Sequence, residues 1–88
     1  MKLNAYVIHD KQAERYNQPI LLQNDAVAIR SIRNELMNPN SQISLSPEDF
    51  SIICIGYYDD EIGEIIPCEH LLVSEVKDID VPNSKEVK

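Results

Sequence analysis

One amphipathic helix, bounded at both ends, limits what this chain can become. Residues 24–38 read NDAVAIRSIRNELMN. Asn24 carries the short polar side chain that caps a helix N-terminus. Asp25 puts a negative charge in the first turn, where the helix dipole favours it. Ile29, Ile32 and Leu36 recur at helical spacing as one apolar stripe, flanked by Ala26, Ala28 and Met37. Arg30, Ser31, Asn34 and Glu35 take the solvent side, Arg33 sits at its border and Val27 lies off the stripe. Pro39 disfavours helix at Asn38 and supplies the stop. A single stripe needs an apolar surface to lie on, and the segments on either side of the helix are extended.

Met1–Asp10 sets Leu3, Ala5 and Val7 against Asn4, Tyr6 and Ile8 at the period of a strand. His9–Arg15 is polar and reverses the chain. Tyr16–Gln23 is a second extended segment, and Pro19, which has no amide hydrogen, assigns it to an edge or an irregular strand. Pro39–Asp49 has loop chemistry. Phe50–Tyr58 is the strongest strand, Asp59–Gly63 a hairpin connection, and Glu64–Glu69 a return strand interrupted at Pro67. His70–Ile79 fits a strand better than a helix, because Val73 and Ser74 make a poor helix centre. The expected fold is α+β: a small, mostly antiparallel sheet of about four strands in ββαββ order, covered by the helix at 24–38. Its expected extent is one domain over 1–79, with a flexible C-terminal tail over 80–88.

Phe50–Tyr58 is apolar at both phases of the pleat. Phe50, Ile52, Cys54, Gly56 and Tyr58 alternate with Ser51, Ile53, Ile55 and Tyr57. One helix covers one face, so the second is expected to meet another copy of the chain. Ile53, Ile55 and Tyr57 are the expected homodimer interface.

Catalytic patterns are hard to find. Asp59, Asp60 and Glu61 form a carboxylate cluster on a turn, where they are solvated and lack the burial a catalytic acid or base needs. No Ser–His–Asp or Cys–His spacing stands out, and the two glycines, Gly56 and Gly63, do not make a phosphate-binding loop. His9, His70, Cys54 and Cys68 lack the spacing of a metal site, although Cys68 and His70 would share a face on a strand. No cofactor, metal or enzymatic activity is expected. Cys54 and Cys68 lie in apolar strands and read as buried free thiols of a reducing compartment, on strands that adjacency could bring together. No signal peptide or membrane-length apolar run is apparent, so the expectation is a soluble intracellular protein.

The net charge of −7 is uneven. Residues 1–40 hold five basic against four acidic side chains, and residues 41–88 hold three against eleven. Broad, non-specific nucleic-acid binding is disfavoured by this balance. Any contact with DNA falls to the N-terminal half, where Lys11, Arg15, Arg30 and Arg33 supply charge and Tyr16 a ring. Cations that track phosphates and rings that stack on bases are the chemistry of single-strand binding.

Several pieces stand in a recognisable order: HDKQAERYNQPI, NDAVAIRSIRNEL, NPNSQISLSPEDF and IGYYDDEIGEIIP. They place Asp10, Lys11, Tyr16 and Pro19 before a helix start at Asn24, Asp25, Ala28 and Arg30. Pro47, Asp49 and Phe50 follow, then Ile55, Gly56, Tyr58 and Asp59, then Gly63, Ile65 and Pro67. Over roughly residues 1–70 the chain resembles the small nonstructural protein encoded by the fifth reading frame of gokushovirus-type microviruses, which are single-stranded DNA phages. It departs from that pattern at Ile62, where Thr is common, and after Pro19, where Ile-Leu-Leu replaces aromatics. The resemblance implies a non-enzymatic protein of the bacterial host's cytoplasm, absent from the virion. It further implies binding to single-stranded DNA or the replication complex during genome synthesis or packaging, with replication or procapsid proteins as partners. The alternative is an acidic protein-interaction module that acts on a phage or host protein without contacting DNA.

Overall fold

The computed structural model describes residues 2–81. Five strands and one main helix follow one another. They are β1 (Lys2–Asp10), β2 (Arg15–Tyr16), β3 (Ile20–Leu22), α1 (Asp25–Leu36), a single helical turn α2 (Gln42–Leu45), β4 (Phe50–Asp59) and β5 (Glu64–Glu75). All pairings are antiparallel, in the order β2-β1-β4-β5, with β3 beside β2 on the same edge of β1.

The fold is the expected α+β sheet under one helix, with one strand more than the four read from the sequence. The extra strand comes from the segment around Pro19, which breaks into β2 and β3. Between them Asn17 holds the edge by its side chain as well as its backbone. Its Oδ1 accepts from the Ile8 amide at 2.7 Å, and its own amide donates to the Ile8 carbonyl at 3.0 Å. The helix starts as expected, with the Asn24 side chain accepting from the Val27 amide at 2.9 Å. The segment from His70 continues β5 to Glu75, and a 3-10 turn over Val76–Asp78 follows. The tail expected over 80–88 lies outside the described residues from 82 onward.

The main core lies between the sheet and α1. Tyr6, Ile8, Phe50, Ile52 and Cys54 from the strands meet Ala28, with Ile29, Ile32 and Leu36 packed against them. Val76 and Ile79 close the far side. Tyr6 also ties sheet to helix, since its hydroxyl donates to Asp25 Oδ1 at 2.6 Å and accepts from Asn4 Nδ2 at 2.9 Å. Burial, then the bond to Asp25, pushes its phenol up to about 12.

Three irregularities reshape the outer hairpin, one of them an extra residue, Val73, between the Ile52–Ser74 and Ile53–Leu72 pairs. Ala5 pairs with Gly56 but Tyr6 with Cys54, so Ile55 is an extra residue on β4. On the other side Ile55 faces three residues of β5: Cys68, Glu69 and His70. The alternation of β4 therefore changes phase at Ile55. Tyr57, paired with Asn4, falls on the face of Ile52 and Cys54, whereas Gly56 and Tyr58 fall on the face of Ile53. The regular alternation expected for Phe50–Tyr58 fails here because a bulge adds one residue without a partner. Gly56 is required where β4 and β5 approach closely: a Cβ there would sit 2.5 Å from the Ile66 carbonyl oxygen.

The face away from α1 has its own cover. Ala5 and Val7, 2% and 3% exposed, are as buried as Tyr6 yet lie outside the helix-side cluster. The His9 ring stacks on Tyr16 with centroids 4.4 Å apart, and Tyr16 meets His70 edge-on at 5.8 Å. Tyr16 and His70 belong to the first and last strands of the order, so the sheet curls until its two edges meet across this face.

Candidate nucleic-acid interface

A groove opens where the β1–β2 turn faces α2. The turn is set by Asp10, whose Oδ1 accepts from the Gln12 and Ala13 amides at 3.0 and 3.1 Å, and by Glu14 at a φ of 56°. It is docked by the Lys11 amide, which donates to the Asp49 carbonyl at 2.9 Å. On the opposite wall Ser41 caps α2 by accepting from the Ile43 amide at 3.2 Å. Ser44 Oγ ties the same turn back to the Asn38 carbonyl at 2.6 Å.

The groove encloses about 390 Å³, with a floor of Ile8, Ile43 and Phe50 and a rim of Asp10, Arg15, Tyr16, Asn17, Ser41 and Gln42. A hollow of about 310 Å³ continues past Asp10 and Gln42 to Asp49 and Leu45. The first volume lies in the range of small-molecule sites, and an apolar floor with a few polar groups is their usual lining. Asn17 spends its carbonyl oxygen on Ile8 and keeps its amide hydrogens. Arg15 and Gln42 have no side-chain partner among the described residues.

The five residues expected to bind nucleic acid are not brought together. Arg15 and Tyr16 share the groove. Lys11 is drawn away, with its Nζ 2.8 Å from Glu75 Oε1. That contact, with a hydrogen bond from Ser51, holds the Glu75 carboxyl below the usual range. Arg33 donates Nε to the Asp80 carbonyl at 3.0 Å. Arg30 is exposed on α1 and does not line the groove. Of the residues expected at a dimer contact, Ile53 and Ile55 are half-buried, and Tyr57 lies on the helix side beneath Lys2 Nζ, 4.8 Å from its ring centre. Asn17, Ser41 and Gln42 carry no binding signal in the sequence, and His9 and His70 stand out there only as metal-ligand candidates. The Ser41 cap is the one local structural signal among them.

Cys68 and His70 do not share a face. Cys68 packs against the helix-side core and His70 meets Tyr16. Among the described residues no three His, Cys, Asp or Glu side chains gather closely enough to hold a metal. No helix among them is long and apolar enough to cross a membrane.

No curated protein and no solved structure matches the chain. A family model described as phage ORF5 protein matches residues 3–79, nearly all of the described fold. The chain belongs to the phage ORF5 protein family.

Proposed function

We propose that this phage protein is a non-enzymatic nonstructural protein of the gokushovirus type that binds single-stranded DNA, and that the groove beside Arg15 and Tyr16 is where it does so. The supporting observation is the meeting, in one groove, of an unpaired guanidinium and spare amide groups over an apolar floor, with the Tyr16 ring stacked on His9 beside it on the other face of the sheet. Such a set holds a phosphate and a base at once. The role assigned is in genome synthesis or packaging in the host cytoplasm, outside the virion. With Lys11 and Arg33 engaged inside the molecule, one or two phosphates are contacted. Affinity then falls only modestly with salt, with a log–log slope of about one. Fluorescence anisotropy with a labelled oligonucleotide at low salt tests the reading. Binding should weaken about tenfold or more in Tyr16→Ala, and clearly in Arg15→Ala. No binding at tens of micromolar protein removes the proposal.

A second reading has its own support. Ile65 and Leu72 on β5 are 65% and 59% exposed, beside a C-terminal half rich in acids. Exposed apolar side chains rimmed by charge suit a protein partner, either a replication or procapsid protein or a second copy of this chain. A clean monomer mass by light scattering at high micromolar concentration rejects the homodimer. Recovery of one partner from lysate after nuclease treatment favours the interaction module over DNA binding.

A further inference from the structure

We infer that Cys54 and Cys68 form a redox-responsive modification site, which a peroxide closes into an intrachain disulfide across the outer hairpin. Both cysteines are free thiols, one on β4 and one in the three-residue bulge of the neighbouring β5. Cys68 Sγ lies 3.9 Å from the Cys54 carbonyl oxygen and 3.1 Å from that of Glu69. Cys54 Sγ lies 3.5 Å from the Gly56 carbonyl oxygen. Both side chains belong to the helix-side core, Cys54 within it and Cys68 packed against it. Burial raises the Cys54 thiol. The Cys68 sulfur thus reaches the backbone of Cys54, with Cys54 shielded and Cys68 partly open to solvent.

The asymmetry assigns the order of events. The Cys68 thiolate is the accessible nucleophile and attacks the peroxide O–O bond. An S–O bond forms, and the distal oxygen leaves, taking up the thiol proton, as water from hydrogen peroxide. Cys54 sulfur then displaces the sulfenic hydroxyl, which departs as a second water with the Cys54 proton. Two thiols lose two electrons to one peroxide. Closing an S–S bond requires small backbone adjustments, and a bulge without a regular ladder supplies that slack. His70, two residues beyond Cys68, is carried on the same bulge and touches the ring of Tyr16, whose residue also lines the groove. Closure therefore restrains the segment that supports one groove residue.

The test treats the intact, folded protein with hydrogen peroxide, blocks free thiols with iodoacetamide and measures mass. The expected product is a monomer lighter by two hydrogens, with neither cysteine alkylated and full reversal by dithiothreitol. Amide exchange over β5 should slow by about tenfold or more, as expected for a closed loop of this size. In Cys54→Ser the Cys68 sulfenic acid should persist and be trapped by dimedone. In Cys68→Ser, a milder change at the partly exposed position, Cys54 should stay reduced. Two alkylated cysteines after treatment of the wild type would overturn the inference. So would a Cys68-linked dimer, or Cys68 sulfinic acid beside an alkylated Cys54.

Discussion

The two faces of the sheet are stabilised by different means. The helix-side face is covered by a regular element whose stripe meets Tyr6, Ile8, Ile52 and Cys54. The opposite face is covered by curvature, by the rings of His9, Tyr16 and His70, and by the Ser51–Glu75–Lys11 contacts. The first is a packed hydrocarbon core, in which a lost side chain leaves a cavity. The second buries Ala5, Val7 and Ser51, but its cover is made of half-exposed contacts, which water and neighbouring side chains can replace. Most of the stability should therefore reside under α1, and most of the local motion on the other side.

Paired truncations on neighbouring residues of β4 test this most sharply. Ile52→Ala removes a side chain only 1% exposed and should cost about 2–5 kcal/mol. Ile53→Ala, on the half-buried opposite face, should cost less than half as much. Equal losses in denaturant titrations would erase the distinction between the faces.

A smaller effect separates the faces at alkaline pH. Tyr6→Phe deletes the bond to Asp25 and should cost about 1 kcal/mol near neutrality. The Tyr6 phenol is raised in the folded state, so its contribution is complete below pH 10 and declines as pH climbs towards 12. The wild type should lose stability over that window, and Tyr6→Phe should lose less. Identical alkaline profiles for the two proteins would contradict this.

The smallest effect lies at acid pH on the other face. Glu75 is depressed by Lys11 and Ser51, so its contribution is present above the ordinary carboxylate range and lost as pH falls through its lowered value. Both partners are substantially exposed, and Glu75→Gln should cost under about 1 kcal/mol. A flatter acid limb in thermal melts of Glu75→Gln is the expected sign.

What could be read in advance was local. Asn24, Asp25, the Ile29–Ile32–Leu36 stripe and Pro39 mark a helix whatever surrounds it. Pro19 announced an irregular edge, though not that the edge would split in two. The bulge at Ile55 was invisible, because every residue around it is apolar and a change of phase leaves no mark in such a run. The fate of the basic residues was equally hidden. Lys11 finds Glu75 from 64 positions away, and Arg33 finds Asp80 from 47. Such pairings depend on the finished fold. The groove joins residues 8–17 to residues 41–50, so composition in either segment alone could show only half of it.

The broken edges carry a consequence for how the molecule behaves at high concentration. An outer strand with an unbroken row of amides invites another strand to add to it, and repetition of that event makes a fibre. Here one border is interrupted at Asn17–Pro19 and the other at Cys68–His70, next to Pro67. Neither border offers a continuous template, so the same irregularities that obscured the fold in the sequence also protect it from edge-to-edge polymerisation.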